Sequence, residues 1–137
     1  MIISHRTTVR VRYAHTDQMG YVYYGRYAEF YEVGRVELMR QLNLPYRELE
    51  EHGVFMPVAE MHIRYFRPAL YDDLVTIETG IVEVPRGRMK FVSTLYNEAG
   101  ELLNRGEVTL AFFDRVRRRP TRAPKILIEA IEGYLAS

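Results

Sequence analysis

The fold is decided by residues 13–40, which read YAHTDQMGYVYYGRYAEFYEVGRVELMR. The first part of this stretch is a polar turn around Thr16, Asp17 and Gly20, and Gly20 can adopt the positive φ that a chain reversal needs. The second part carries aromatic residues at helical spacing. They share one predicted helix face, which consists of Tyr23, Tyr27, Phe30, Tyr31, Gly34 and Leu38. A face this aromatic is expected to lie under a broad cover such as a sheet.

The predicted helix runs from about Val22 to Gln41, and the Asn-Leu-Pro sequence at residues 43–45 ends it. Two glycines inside this helix, Gly25 and Gly34, each cost roughly 1 kcal/mol relative to alanine. Close approach of a strand or a ligand to the helix would offset that cost. The charged residues fall largely outside the aromatic face, and they are Arg26, Glu29, Arg35 and Glu37.

Alternation of apolar and polar residues predicts five strands around this helix. They span about residues 7–13, 54–66, 74–84, 88–96 and 101–113. Short turns at residues 85–87 and 97–100 join the last three, so these strands should pair antiparallel. Shorter helices are expected at residues 46–52 and 125–135. The pattern therefore predicts an α+β fold in one domain of residues 1–137, with an antiparallel sheet of about five strands, one long helix and a short C-terminal helix.

The composition excludes several classes of protein. A net charge of +1 gives no argument for binding to nucleic acid or to a membrane. The absence of cysteine excludes disulfides, thiolate metal sites and a cysteine nucleophile. No stretch has the apolar length of a signal peptide or a membrane span, so the expected location is the cytoplasm. Long strands with mixed outer faces leave an exposed sheet edge, which favours a homo-oligomer.

Asp17 is the first candidate for a catalytic residue, and its place in the chain allows two interpretations. The structural one is an Asx turn or a helix N-cap, the commoner role of a lone Asp in a turn. The functional one is a carboxylate poised against a substrate carbonyl, with free backbone N–H groups around Tyr23, Tyr24 and Gly25 to hold a developing oxyanion. Such a pair suffices for acyl-group hydrolysis, with the carboxylate as nucleophile or as general base. A serine-hydrolase elbow is absent.

Two histidines and one basic hairpin are further candidates for a binding site. His15 lies two residues before Asp17 and would point the same way in an extended chain, whereas His62 lies on the polar face of its strand. Each is more commonly a satisfied polar residue than a catalyst, and no pair has a metal-binding spacing. The hairpin carries Arg86, Arg88 and Lys90. These residues are either solvated charges at the sheet edge or a binding site for phosphates. Binding to the phosphates of RNA is the weaker form of the second interpretation, because few aromatic residues interleave with the basic ones.

The stretch from Tyr13 to Tyr27, followed by Glu32 and Arg35, resembles the signature of the 4-hydroxybenzoyl-CoA thioesterase family of hotdog-fold proteins. This is the group that includes the acyl-CoA thioesterases associated with the Tol–Pal system. The resemblance covers most of the chain, and it extends to the Tyr-Phe-Arg-Pro-Ala sequence that starts at Tyr65 and to the Tyr-Asp-Asp sequence that follows it.

The resemblance implies an antiparallel sheet wrapped around the long helix, edge-to-edge dimers that often pair into tetramers, and hydrolysis of acyl-CoA thioesters without metal or cofactor. Asp17 would be the catalytic carboxylate, and the backbone N–H of Tyr24 would be the oxyanion donor. The substrate would lie at the subunit interface, with Arg86, Arg88 and Lys90 chosen for the phosphates of the CoA nucleotide. The other predicted substrate-binding residues are His15, Tyr23, Gly25, Tyr27 and His62.

Two positions depart from the family pattern, and they leave alternatives open. Many members carry His where this chain has Tyr24, and an acidic or small residue where it has His15. A backbone N–H role survives the change at Tyr24. A hotdog dehydratase of hydroxyacyl thioesters would need a catalytic His there, and a non-catalytic acyl-CoA-binding or partner-docking module would need no Asp17. The acyl group, and the choice between CoA and acyl carrier protein as its carrier, stay open.

Overall fold

The computed structural model describes residues 1–137. The helices are α1 (Tyr27–Gln41), α2 (Tyr46–Glu51) and α3 (Lys125–Ala136), and short 3₁₀ turns cover Tyr13–His15 and Tyr24–Arg26. The strands are β1 (Ile3–Arg10), β2 (Val54–Phe55), β3 (Val58–Tyr65), β4 (Leu74–Ile81), β5 (Arg88–Tyr96), β6 (Leu102–Asp114) and β7 (Arg119–Thr121). The α+β class, the long central helix and the five long strands that the sequence predicts are confirmed. None of the helices combines the length and the apolar character that a membrane crossing needs.

The long strands form one antiparallel sheet in the order β1-β4-β5-β6-β3. β6 is the longest strand, with 13 residues, and its C-terminal end also pairs with the short strands β2 and β7. β1 and β3 therefore form the two edges of the main sheet. This is the arrangement of a sheet wrapped around a helix that the hotdog resemblance implies.

Helix α1 lies across the inner face of the sheet with its aromatic residues buried. Phe30, Tyr31 and Leu38 are at most 1% exposed, and the helix packs against β1, β4 and β5. Gly34 is a point of close approach, because a Cβ there would overlap the side chain of Thr79 and come within 2.8 Å of Ile77 Cγ2. The prediction that a strand approaches this glycine is confirmed.

Two boundaries in the first forty residues differ from the predictions. β1 begins at Ile3 rather than at residue 7, since Ile3 is buried and pairs with Ile81, and it ends before Tyr13, which opens a 3₁₀ turn. The α-helix begins at Tyr27 rather than at Val22, because a separate 3₁₀ turn precedes it. The polar turn and the helix are thus joined by backbone that is wound more tightly than an α-helix.

Two residues of the predicted helix have the opposite exposure to the one expected. Tyr23 precedes the helix and is 48% exposed, so its place on the buried aromatic face was wrong. Arg35 is only 5% exposed, although its charge suggested a place outside that face. Helical spacing does not separate it from the buried face, because it lies one turn after Tyr31 and one turn before Met39.

The chain after β6 forms a hairpin where the sequence predicted a basic exit and a break in the pattern. Asp114 Oδ1 accepts hydrogen bonds from the N–H groups of Val116 and Arg117, both at 2.9 Å, and the chain turns back. β7 then pairs with β6, with Pro120 opposite Phe113. A proline is tolerated there because β7 is a short outer strand that need not donate on its free side.

Strand β3 is an uncovered edge of the sheet, as the sequence predicted for one of the long strands. It pairs only with β6, and α1 makes few contacts with it. On its inner face Met61 and Ile63 are only half-buried, and at its ends Val58 and Tyr65 are 48% and 49% exposed. An apolar strip therefore stays open between the helix and this edge.

Candidate active site

The polar turn is organised by one oxygen of the Asp17 carboxylate. Asp17 Oδ1 accepts hydrogen bonds from the N–H groups of Met19 at 2.9 Å and Tyr21 at 3.3 Å. The turn is closed by the Asp17 N–H, which donates to the Tyr21 carbonyl, and by Gly20, whose φ is 81° as predicted. The Asx turn of the structural interpretation is therefore present. The second oxygen, Oδ2, accepts no hydrogen bond within the protein, and the side chain is exposed.

Two backbone N–H groups directly after this turn have no acceptor. The N–H of Tyr23 donates to the His15 carbonyl at 2.9 Å, so this predicted donor is already used. The N–H groups of Tyr24 and Gly25, the first two residues of the 3₁₀ turn, make no hydrogen bond within the protein. Free N–H groups at the start of a helical segment are suited to binding a negatively charged oxygen.

The turn and the helix start line a groove of about 480 Å³ with the end of the edge strand. Its walls consist of Asp17, Tyr21, Val22, Tyr23, Tyr24, Tyr27, Tyr65, Phe66, Arg67 and Pro68. Seven of these residues are apolar or aromatic, and the volume falls within the range of small-molecule sites. The structure thus brings together four of the predicted site residues, and Gly25 follows them directly in the chain.

Tyr65 joins the edge strand to the start of the helix. Its ring lies 5.6 Å from that of Tyr27 and 6.5 Å from that of Tyr24, and its hydroxyl donates a long hydrogen bond of 3.4 Å to the Tyr24 carbonyl. The Tyr27 hydroxyl in turn accepts a bond from the Ala69 N–H at 3.1 Å. Burial raises the pKa of both Tyr27 and Tyr65, so their hydroxyls remain protonated at neutral pH.

Sequence reasoning missed Tyr65, Tyr21 and Phe66 as residues of this groove. Tyr65 and Phe66 lie more than thirty residues from the helix start, and only the pairing of β3 with β6 brings them there. The signal that could have found them is the Tyr-Phe-Arg-Pro-Ala sequence, which belongs to the family resemblance. Read as alternation alone, Tyr65 was one more inward residue of a strand.

His15 lies behind the turn and does not line the groove. Its Nδ1 accepts a hydrogen bond from the Arg12 N–H at 2.9 Å, and its ring stands edge-on to Phe30 at 4.9 Å. It opens on a separate cavity of about 420 Å³ that also contains Arg12 and Glu29. Burial, followed by the positive charge of Arg12, lowers the pKa of His15, so its ring is neutral at pH 7. The extended geometry that would align it with Asp17 is replaced by the 3₁₀ turn of residues 13–15.

The remaining predicted residues lie elsewhere in this chain. His62 is exposed on the outer face of β3, opposite Glu107. Arg88 and Lys90 line a cavity of about 350 Å³ on that same outer face, where Lys90 Nζ lies 3.7 Å from the Glu107 carboxylate. Arg86 lies apart, beside α3. No three His, Asp or Glu side chains converge as metal ligands would.

The basic hairpin and the groove lie at opposite ends of the sheet. Arg88 pairs with Ala111 of β6, whereas Tyr65 pairs with Asn104. Seven residues of extended strand separate these two positions, a distance of about 23 Å. Phosphate binding by this hairpin stays a prediction, and within one chain the hairpin is not part of the groove.

Comparison with known proteins relates the chain to one superfamily. Residues 11–131 match the family model described as the thioesterase-like superfamily. The acyl-CoA thioester hydrolase YbgC of Escherichia coli is 32% identical over 123 residues, which cover 90% of this chain and 92% of that protein. The putative acyl-CoA thioesterase YneP of Bacillus subtilis is 38% identical over 94 residues, which cover 69% and 68%.

A solved structure shows the same similarity in three dimensions. The DHNA-CoA thioesterase from Staphylococcus aureus superposes with a TM-score of 0.89 at 29% sequence identity, over 97% of this chain and 91% of that one. The agreement extends over the sheet, the central helix and the C-terminal helix, because almost the whole of both chains is covered.

Proposed function

The chain belongs to the thioesterase-like superfamily, and from that premise we propose that it hydrolyses acyl-CoA thioesters to a free acid and CoA. One observation carries the proposal: a carboxylate with a free oxygen and the Tyr24 N–H group without an acceptor stand at one apolar groove, and the next residue, Gly25, has a second N–H group without an acceptor. The names of the relatives, which include an acyl-CoA thioester hydrolase and a DHNA-CoA thioesterase, support the same reaction.

In the proposed reaction the thioester carbonyl oxygen accepts hydrogen bonds from the Tyr24 and Gly25 N–H groups. These donors stabilise the oxyanion as the carbonyl carbon becomes tetrahedral, and the start of a helical segment adds its favourable dipole. The N–H groups of Met19 and Tyr21 fix Asp17 Oδ1 in the turn. Oδ2 makes no hydrogen bond within the protein, so it is the oxygen available for the reaction. The C–S bond then breaks, and the CoA sulfur takes either the proton that Asp17 removed from the attacking water or, on the nucleophilic route, a proton from solvent.

The carboxylate can act in two ways, and both use the same geometry. As a general base, Asp17 takes a proton from the water that attacks the carbonyl. As a nucleophile, it forms an anhydride that water hydrolyses in a second step. After a single turnover in water enriched in ¹⁸O, label in the Asp17 side chain identifies the nucleophilic route, because it arises when water attacks the Asp17 carbonyl of the anhydride and a general base gains no label.

We also propose that two copies pair through the free edge of β3. Antiparallel pairing of β3 with its own copy places the Tyr65 end of one strand beside the Val58 end of the other. That end of the sheet carries the basic hairpin, because Val58 pairs with Leu110 and Arg88 with Ala111. The partner's Arg88 and the partner's Lys90 would then lie at the groove's end of the joined sheet, on its outer face, where they suit CoA phosphates that extend out of the groove. Further pairing into a tetramer is part of the proposal.

The experiment that tests this function is free-thiol release from short, long and aromatic acyl-CoAs and from acyl carrier protein esters. Wild type is compared with Asp17→Asn, because an Asn side chain can keep the Asx turn but cannot act as base or nucleophile. Turnover that is lost in a folded Asp17→Asn variant is expected. No turnover with any ester would contradict the proposal.

Of the two alternatives, neither gains support from the groove. A dehydratase needs a catalytic histidine at the reacting centre, and no histidine lines the groove. A non-catalytic binding module would bind acyl-CoA without hydrolysis, and it would bind equally well in wild type and in Asp17→Asn. No metal or other cofactor takes part in the proposed reaction, in which CoA is present only as part of the substrate.

A further inference from the structure

A second cavity of about 300 Å³ lies further along α1 on the same face of the sheet as the groove. It is lined by Glu32, Arg35, Val36, Tyr46, Glu50, Met56, Val58 and Leu110. Helix α1 contributes its second half, α2 contributes Tyr46, and the start of the edge strand contributes Val58. The proposed reaction assigns no role to this cavity.

Arg35 is a buried charge without a partner in this cavity. It is 5% exposed, its Nη1 is fully buried without a hydrogen-bond partner, and its guanidinium forms no ion pair with a carboxylate. The Tyr46 hydroxyl beside it is also buried without a hydrogen-bond partner, and burial raises the pKa of Tyr46 to about 12. Buried guanidinium groups are normally paired, because removal from water is costly for an uncompensated charge. The unpartnered Nη1 of Arg35 therefore indicates an absent acceptor, and the Tyr46 hydroxyl beside it is placed to contact the same group.

The carboxylates in the same cavity do not supply that acceptor. Glu32 and Glu50 line it, but both side chains are exposed, and neither forms an ion pair with Arg35 within 4.0 Å. The buried polar groups of the cavity are a guanidinium, which only donates, and a hydroxyl, which can donate while it accepts from the guanidinium. Together they match the acceptor oxygens of a carboxylate.

Two half-buried apolar side chains lie between the groove and this cavity. They are Met61 and Ile63 on the inner face of β3, which α1 leaves largely uncovered, and we take them as an apolar strip that an acyl chain could follow. From Tyr27 to Arg35 the helix rises about 12 Å. Along the strand, the two ends of β3 lie about 23 Å apart. An extended acyl chain whose thioester lies at Tyr24 would follow the strip and end near the guanidinium.

We propose that Arg35 and Tyr46 form a subsite for a carboxylate at the far end of the acyl chain, so that the preferred substrates are ω-carboxyacyl-CoA esters. This inference rests on the proposed thioesterase function. A plain alkyl end would leave both donors unpaired, whereas a terminal carboxylate accepts from each of them. Sites built around buried polar groups discriminate strongly against analogues that lack the matching group.

The test measures binding separately from turnover. Non-hydrolysable thioether analogues of CoA are made in pairs of matched chain length, one ending in a carboxylate and one in a methyl group. Their dissociation constants are measured by calorimetry with wild type, Arg35→Met, Tyr46→Phe and Arg40→Met. Arg40 is the matched control, because it is an exposed arginine of the same helix that already pairs with Glu37.

Wild type is expected to bind the carboxylate member of the best pair at least about tenfold more tightly. Arg35→Met should bring the ratio close to one, Tyr46→Phe should lower it by a smaller factor, and Arg40→Met should leave it unchanged. The hydrolysis of the corresponding thioesters, measured as kcat/KM, should follow the same order. Tyr46→Phe keeps the shape of the cavity, so it carries the test if Arg35→Met does not fold.

Three results would overturn the subsite. One is equal binding of the two analogues by wild type, and another is a carboxylate preference that Arg35→Met retains. The third is dissociation of the dimer by Arg35→Met, measured by analytical ultracentrifugation. That result would mean that the second copy pairs the guanidinium in wild type. Absence of hydrolysis by wild type would instead contradict the proposed function, while the binding ratio still decides the subsite.

Discussion

Two aspartates turn the chain in a similar way, one before the long helix and one at the end of the longest strand. Asp17 Oδ1 accepts from the N–H groups two and four residues later, and Asp114 Oδ1 accepts from those two and three residues later. Their surroundings differ. Asp17 lines an apolar groove next to the unpaired N–H groups of Tyr24 and Gly25, whereas Asp114 precedes a run of exposed arginines. The turn is thus a common structural device, and the groove is what makes one of the two a candidate catalyst.

The largest effect is expected when the two aspartates are changed one at a time to Asn. Asp17→Asn should lower kcat/KM for the best acyl-CoA by roughly 10²–10⁴-fold, because it removes a base or nucleophile and keeps the turn. Asp114→Asn should leave kcat/KM unchanged. Thiol release measured with both purified variants checks this pair, and similar losses in the two would remove the distinction between the turns.

The next effect concerns the N–H groups that only the first turn provides. Tyr24→Pro removes one proposed oxyanion donor. The position tolerates proline, because the preceding residue, Tyr23, has φ −60° and ψ 131°, a conformation that residues before proline adopt. Tyr24→Ala loses the same side chain but keeps the N–H group. The Pro variant should be slower than the Ala variant by roughly 10²-fold in kcat.

That ratio is measured with saturating acyl-CoA, and circular dichroism controls for folding. Equal rates in the two variants would exclude the Tyr24 N–H group from the reaction. A loss in Tyr24→Ala relative to wild type would assign a separate role to the side chain.

A smaller effect is expected from the contact that holds the helix start to the edge strand. Tyr65→Phe removes the long hydrogen bond to the Tyr24 carbonyl and keeps the ring that packs against Tyr27. A net hydrogen bond of this kind contributes on the order of 0.5–1.5 kcal/mol to stability, so the thermal midpoint should fall by roughly a few degrees. Because the bond also holds the helix start, kcat should fall roughly twofold to tenfold. Turnover and a melting curve are measured together, and a loss of stability without a loss of rate would make Tyr65 a purely structural contact.

The smallest effect is a pH dependence of stability at the second turn. The backbone N–H groups of Arg117 and Val116 hold the pKa of Asp114 below its usual value. Its contribution to stability is therefore complete above the ordinary Asp pKa of about 3.9 and is lost as the pH falls through the lower folded-state value. Wild type should melt slightly above Asp114→Asn at pH 7, and the difference should vanish in strong acid. A difference that grows as the pH falls would have the wrong sign.

Much of the fold is predictable from the sequence because local periodicity and burial agree. The alternation in the strands corresponds to a sheet that buries one face, and the aromatic spacing of the helix corresponds to the face covered by that sheet. Gly34 is a good example: its cost in a helix predicted a close neighbour, and Thr79 and Ile77 are that neighbour. The Asx turn at Asp17 and the positive φ of Gly20 were likewise readable from residue type alone.

Other features depend on tertiary contacts that no local pattern reports. The His15 carbonyl takes the Tyr23 N–H because the 3₁₀ turn brings the chain back on itself, which removed one of three predicted donors. Arg35 is buried although it is charged, and helical spacing alone cannot show whether a cavity receives it. Tyr65 reaches the groove only through the register of β3 against β6. Sequence reasoning therefore found the turn and the helix, and it missed the strand that completes the groove.

The proposed reaction requires a thioester held between the carboxylate of Asp17 and the N–H groups of Tyr24 and Gly25. A crystal structure of the Asp17→Asn variant with an intact acyl-CoA would show this arrangement. We expect the thioester oxygen about 2.7–3.1 Å from the Tyr24 or Gly25 nitrogen, with the carbonyl carbon facing the side chain at position 17. An acyl-CoA bound with its thioester outside this groove, or with its oxygen paired to other donors, would contradict it.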